Sequence, residues 1–117
     1  MNTVKALLEK LDNTPDSIEF TEVMQVIEDN YRFSPTAFSC GDAVNESGSN
    51  EGSCKILAFA QIHDLTEQQT LALFGRFYRE DVLQHPKETD HANIRNFMNS
   101  GWRGVRFENE PLSQESV

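Results

Sequence analysis

Positive charge is scarce in this sequence: 10 Lys and Arg stand against 19 Asp and Glu, a formal net charge of −9. Binding to phosphate backbones depends on Lys and Arg displacing counterions. Nucleic acid and membrane surfaces are therefore excluded as expected partners, whereas a protein partner or a small anionic ligand at a local site is not. Long apolar runs are also missing. The longest, ILAFA at 56–60, falls far short of the roughly 18 apolar residues that mark a membrane span. The amino end, MNTVKALLEKLDNTPDS, has no basic stretch followed by an apolar segment and a small-residue cleavage site, so it reads as a helix rather than a signal peptide. Cysteine is limited to Cys40 and Cys54, too few for a secreted disulfide framework and not spaced as a CxxC zinc half-site. These absences predict a soluble, cytoplasmic protein with no cofactor.

Complete motifs for ion or nucleotide chemistry are absent as well. The loop GDAVNESGSNEGS at 41–53 is rich in oxygen donors, but it lacks the alternating ligands, central Gly and distal Glu of an EF-hand loop. Gly48, Gly52 and Lys55 do not have the spacing of a phosphate-binding loop. Three widely separated histidines, His63, His85 and His91, do not define a metal site, and none is assigned.

What is present is a helical domain. The 117 residues have the length of one domain with one core, and eight Phe, two Tyr and one Trp concentrate its apolar content in large side chains. Val4, Leu7, Leu8 and Leu11 fall at i, i+3, i+4 and i+7, as on one face of an amphipathic helix. Phe20, Val23, Met24, Ile27 and Tyr31 repeat that spacing after Asp16 and Glu19, which resemble a capping box. Residues 54–63 are apolar all round, as expected of a helix at the centre of a fold, with Ser53 as the natural N-cap. Thr66 and Gln69 open a long helix carrying Leu71, Phe74, Tyr78 and Val82 on one face. Gly75 inside it points to a close backbone contact. Thr89 or Asp90 caps a further helix with Ile94, Phe97 and Met98. The expected architecture is mainly α, a compact multi-helix domain around the 54–63 helix. A short β ribbon is expected between 31–39 and 103–108, and a frayed tail over 109–117.

Chemistry is expected where the polar loop meets the central helix. A cysteine in a first helical turn has its thiolate stabilised by the helix dipole, which makes Cys54, helped by Lys55, a candidate nucleophile. The base would be His63, His85 or His91. The plainer alternative is a small buried residue. Ser53 and Lys55 at the helix start, with Asn45, Glu46 and Asn50 from the loop, are candidate anion-binding residues. Alternatively, the loop amides and side chains satisfy one another. Trp102, set between Gly101 and Gly104, is a candidate stacking surface for a ligand or else a core plug.

Three blocks also carry a family resemblance: NESGSNEGSCKILAFA at 45–60, TLALFG at 70–75, and DHANIRNFMNSGW at 90–102. Together they make the chain resemble the HopJ family of type III effectors over about residues 20–107. The resemblance implies a small bacterial protein exported through a type III system; a resident cytoplasmic role stands beside it. It supplies no activity and no catalytic residues. The expected mode of action is binding of a protein or ligand, with a small Cys54 enzyme as the alternative and the oligomeric state open.

Overall fold

The computed structural model describes residues 3–114. Helix α1, Val4–Asn13, begins where the Thr3 hydroxyl accepts the Ala6 amide at 3.0 Å and buries Leu7 and Leu11. Helix α2, Phe20–Asn30, packs on it, tied by a 2.9 Å Lys10–Glu22 ion pair. The cap of α2 lies later than the sequence suggests. Glu22 accepts the Glu19 amide at 3.0 Å, while Asp16 belongs to a separate 3-10 turn, Pro15–Ser17. Pro at the first position of a short turn is already set in φ, and the extended Ile18, 0% exposed, separates turn from helix.

Two small antiparallel sheets follow. Strand β1, Tyr31–Phe33, pairs with β5, Leu112–Gln114. Strand β2, Phe38–Cys40, lies between β3, Ala43–Asn45, and β4, Val105–Phe107, with Ser39 opposite both Val44 and Arg106. The expected ribbon is thus half right: 38–40 does meet 105–107, but 31–33 takes the chain's far end instead. Proline has no amide to give a ladder, and Pro35 divides the segment into two strands that join different sheets. The expected frayed tail is corrected for 109–114. Leu112 is buried, and Pro111 O accepts the Ser34 amide at 2.7 Å. Residues 115–117 lie outside the described residues. Trp102 and Arg103 form a 3-10 turn, Gly101–Gly104, rather than the start of a strand.

Helix α3, Glu51–Ile62, is the expected axis, with Cys54, Ile56, Leu57, Ala58, Phe59 and Ala60 all buried. It starts three residues before the expected point, so the cap position belongs to Asn50, not Ser53. Helix α4, Glu67–Ala72, has the anticipated Thr66–Gln69 capping box, at 3.1 and 2.9 Å. The long helix expected beyond it does not form. Gly75 turns to φ +62°, and a β-carbon there would lie 2.8 Å from the Phe20 backbone nitrogen. This is the close contact that the glycine signalled, and only Gly enters it without strain. The chain resumes as a π-helical turn, Phe77–Val82. Helix α5, Ala92–Ser100, is preceded at the cap position by His91, not by Thr89 or Asp90. Among the described residues no helix is long and apolar enough to cross a membrane.

Candidate functional site

The amino ends of α3 and α5 open on one cleft of about 410 Å³. Phe20, from the start of α2, and Phe77, from the π-turn, form one wall with ring centroids 4.9 Å apart, and the His91 ring lies 5.2 Å from Phe77. Asn50, Gly52 and Ser53 line it from α3; Thr89, His91 and Asn93 line it from the approach and first turn of α5. A β-carbon on Gly52 would stand 2.7 Å from the tip of the Phe20 ring, so the absent side chain is what lets this wall close on α3. Among the described residues, three non-glycine positions have positive φ, and two of them, Asn50 and His91, line the cleft. A left-handed conformation costs an ordinary residue roughly 1–2 kcal/mol, and such strain collects at functional sites.

Beneath the cleft a buried amide pair ties the loop to α5. Asn45 Nδ2 donates to Asn93 Oδ1 at 2.9 Å, and Asn93 Nδ2 returns a bond to Asn45 Oδ1 at 3.0 Å. Asn50 Nδ2 donates to the same Asn45 oxygen at 2.7 Å. Asn45 is thus buried and structural, Glu46 is exposed on the turn, and Asn50 links the pair to the cleft. The bonds of Asn45 run to Asn93 of α5 and to the Phe38 and Ala43 carbonyls.

The other candidates separate. Cys54 does occupy the first turns of α3, but it is 1% exposed, and burial, with Glu51 adding to it, pushes its thiol up to about 11 against the weaker pull of Lys55. The expected dipole-stabilised thiolate is corrected: desolvation of the charged form outweighs the helix end. Lys55 lies over the Phe33 ring, Nζ 4.8 Å from its centroid, and does not line the cleft. His63 lies at the opposite end of α3 and lines a second cleft, of about 380 Å³, with Tyr31, Pro111 and Leu112. Burial lowers its pKa and raises that of Tyr31, and the phenol hydroxyl and Nε2 share a hydrogen bond at 2.6 Å. Trp102 is a plug rather than a platform: its indole N–H donates to Leu65 O at 3.1 Å, and its ring meets Phe97 edge-on at 5.1 Å. Among the described residues no group of three or more His, Cys, Asp or Glu side chains is placed to hold a metal ion.

Of the candidates, then, Asn50, Ser53 and His91 converge, while Cys54, His63, Lys55 and Trp102 do not. Sequence reasoning missed Asp81, whose Oδ2 lies 3.0 Å from His91 Nε2. It also missed Asn93 and the aromatic wall. Arg95 fixes the loop that carries His91, donating to Asp90 Oδ1 at 2.7 Å, to Asp90 O at 2.6 Å and to His85 O at 2.9 Å. That guanidinium holds the Asp90 carboxyl below its ordinary range. Asn93 carried a signal, since Asn is a poor helix former outside caps. Asp81 carried none.

The three blocks that carry the resemblance contribute Asn50, Gly52 and Ser53, Phe74, and His91 to Ile94 to this one cleft. A crystal structure titled as that of the unknown function protein VPA0580 superposes with a TM-score of 0.94 at 51% identity, covering 96% of this chain and 93% of that one. No curated protein matches the chain. The model of the HopJ type III effector protein family matches residues 4–112, wider at both ends than the blocks alone suggest, and the chain belongs to that family.

Proposed function

We propose that this HopJ-family protein acts by binding, and that the cleft between the amino ends of α3 and α5 is where it does so. The observation that carries the reading is the convergence of all three family blocks on that cleft. Its chemistry describes the ligand. Phe20, Phe74 and Phe77 offer apolar and ring surface, as small-molecule sites usually do. The ends of two helices and the His91 and Asn50 side chains favour a hydrogen-bond acceptor such as a carbonyl, carboxylate or phosphate. A small molecule with a planar apolar body and one acceptor end fits both. As an effector the protein would carry this activity into a recipient cell; as a resident protein it would exert it in the cytoplasm.

The binding arm is tested by titrating isotope-labelled protein with a panel of aromatic carboxylates, aryl esters and nucleoside monophosphates. Amide shifts concentrated at 50–53, 74–77 and 89–94 are expected; shifts elsewhere, or none, overturn the cleft as the site. The effector arm is tested with a tagged full chain in a bacterium competent for type III secretion. Export that disappears in a secretion-deficient strain supports it, and retention in both removes it.

A further inference from the structure

Four features at the cleft bear on chemistry beyond binding. Asp81 holds His91 through Nε2 at 3.0 Å and leaves Nδ1 without a hydrogen bond among the described residues. The π-turn that carries Asp81 is a rare backbone form, frequent at functional positions. Ser53, beside the buried Cys54, lines the same cleft, and its hydroxyl has no hydrogen bond among the described residues. The amides of Glu51, Gly52 and Ser53 in the first turn of α3 are likewise without backbone acceptors. A hydroxyl, an imidazole oriented by a carboxylate, and open amide donors at a helix end are the parts an acyl-transfer site requires.

We infer that the cleft is a hydrolytic site in which Ser53 is the nucleophile, His91 the general base and Asp81 the positioning residue, acting on small carboxylic esters with an aromatic or planar apolar group. The inference rests on the cleft being the binding site. Ser53 Oγ attacks the ester carbonyl carbon while its proton passes to His91 Nδ1. The bond to the leaving alkoxide breaks, and His91 returns that proton to the leaving oxygen, giving the alcohol and an acyl-Ser53 ester. Water then attacks the same carbon, giving its proton to His91. The bond to Ser53 Oγ breaks, the proton returns to the serine, and the free acid departs. The net change is ester plus water to acid plus alcohol, with no other reactant. Asp81 keeps the imidazole turned and steadies its charged form, and the first-turn amides of α3 meet the oxyanion.

The test uses the folded full chain and an aryl-tagged fluorophosphonate, which phosphonylates an activated serine with loss of fluoride. One adduct per chain is expected by intact mass, located on Ser53 by peptide mapping and absent in Ser53→Ala. In His91→Gln the labelling rate should fall by roughly 10²–10⁴-fold, the usual contribution of a general base. In Asp81→Asn it should fall as well, with the acid limb of the rate–pH profile moved to lower pH, which a merely structural carboxylate would not do. Unlabelled Ser53 in the wild-type protein overturns the inference whatever the variants do, as does a Ser53 rate indifferent to His91→Gln in a variant that melts normally. If labelling fails while ligand titration still shifts the cleft amides, the chemistry falls and the binding site stands; if both fail, both fall.

Discussion

Helix α3 ends in two different ways, and each end has a histidine beside it. At its carboxyl end His63 is bonded to the Tyr31 hydroxyl, packs 4.6 Å from the Phe59 ring, and lies beside the strand pair of β1 with β5. Its surroundings keep it neutral and partnered. At the amino end His91 is bonded to a carboxylate, sits in a left-handed conformation and lines a cleft shared with Ser53, whose hydroxyl has no hydrogen bond among the described residues. One helix therefore separates two tasks. Its buried middle holds the fold together; at the carboxyl end the histidine is bonded to Tyr31, and the amino end leaves donors and side chains unspent. A histidine is informative about function less by being present than by whether its partner and surroundings finish its bonding.

The strongest way to break the comparison is to remove the axis both ends share. Phe59 is 0% exposed, and truncating a buried Phe to Ala costs about 3–5 kcal/mol through lost transfer energy and the cavity left behind. Phe59→Ala should lower the urea midpoint accordingly with an unchanged slope, and exchange protection should fall at both ends together. Loss confined to the His63 end would show that the amino end is held independently of the axis.

A smaller effect sharpens the open end alone. In Asn93→Ala the Asn45 amide loses both reciprocal bonds, at 2.9 and 3.0 Å, inside the protein. Asn45 keeps the Phe38 carbonyl and Asn50 as partners, so the cost is that of the lost bonds, about 0.5–1.5 kcal/mol each. The expected result is that loss of stability together with collapse of the cleft shifts in the ligand titration, because Asn50 is anchored through the same Asn45 oxygen. A destabilised variant that still binds normally would place the amide pair in the fold and outside the site.

How far the sequence reaches follows the same division. The axis was legible, because residues apolar on every side have nowhere to go but the interior, and the Thr66–Gln69 box marked a helix start directly. The break at Gly75 was not. Leu71, Phe74, Tyr78 and Val82 keep helical spacing across it, and only contact with the Phe20 backbone reveals why the helix stops. Strand β5 was hidden because Leu112 stands isolated between Pro111 and a run of polar residues. At the site, Asn50, Ser53 and His91 were nameable from the loop and helix-start signals. The choice between Ser53 and Cys54 was not, since neighbours on a helix point about 100° apart and only the packed helix shows that Cys54 is buried while Ser53 lines the cleft. Asp81 lies ten residues from His91 across a loop, a pairing only the folded chain makes.

The smallest effect belongs to the carboxyl end and is read against pH. Burial lowers the pKa of His63 from its ordinary 6.5, so the unfolded chain takes up that proton at a higher pH than the folded one. Between the two values the unfolded state binds more protons, and stability rises with pH. The contribution is fully present above about 6.5 and is lost as pH falls below it, until the folded imidazole also protonates. Asp90 acts in a separate window: its carboxyl is held below its ordinary 3.8 by Arg95, so its contribution is lost only at far lower pH. His63→Gln keeps an acceptor for the Tyr31 hydroxyl and removes the titration. Its stability at pH 7.5 should change by no more than about 1 kcal/mol, the net worth of one hydrogen bond, while the slope just below pH 6.5 flattens relative to wild type. Parallel curves for the two proteins would mean that the carboxyl end of α3 does not depend on a neutral imidazole, and the contrast with His91 would then rest on its Asp81 partner alone.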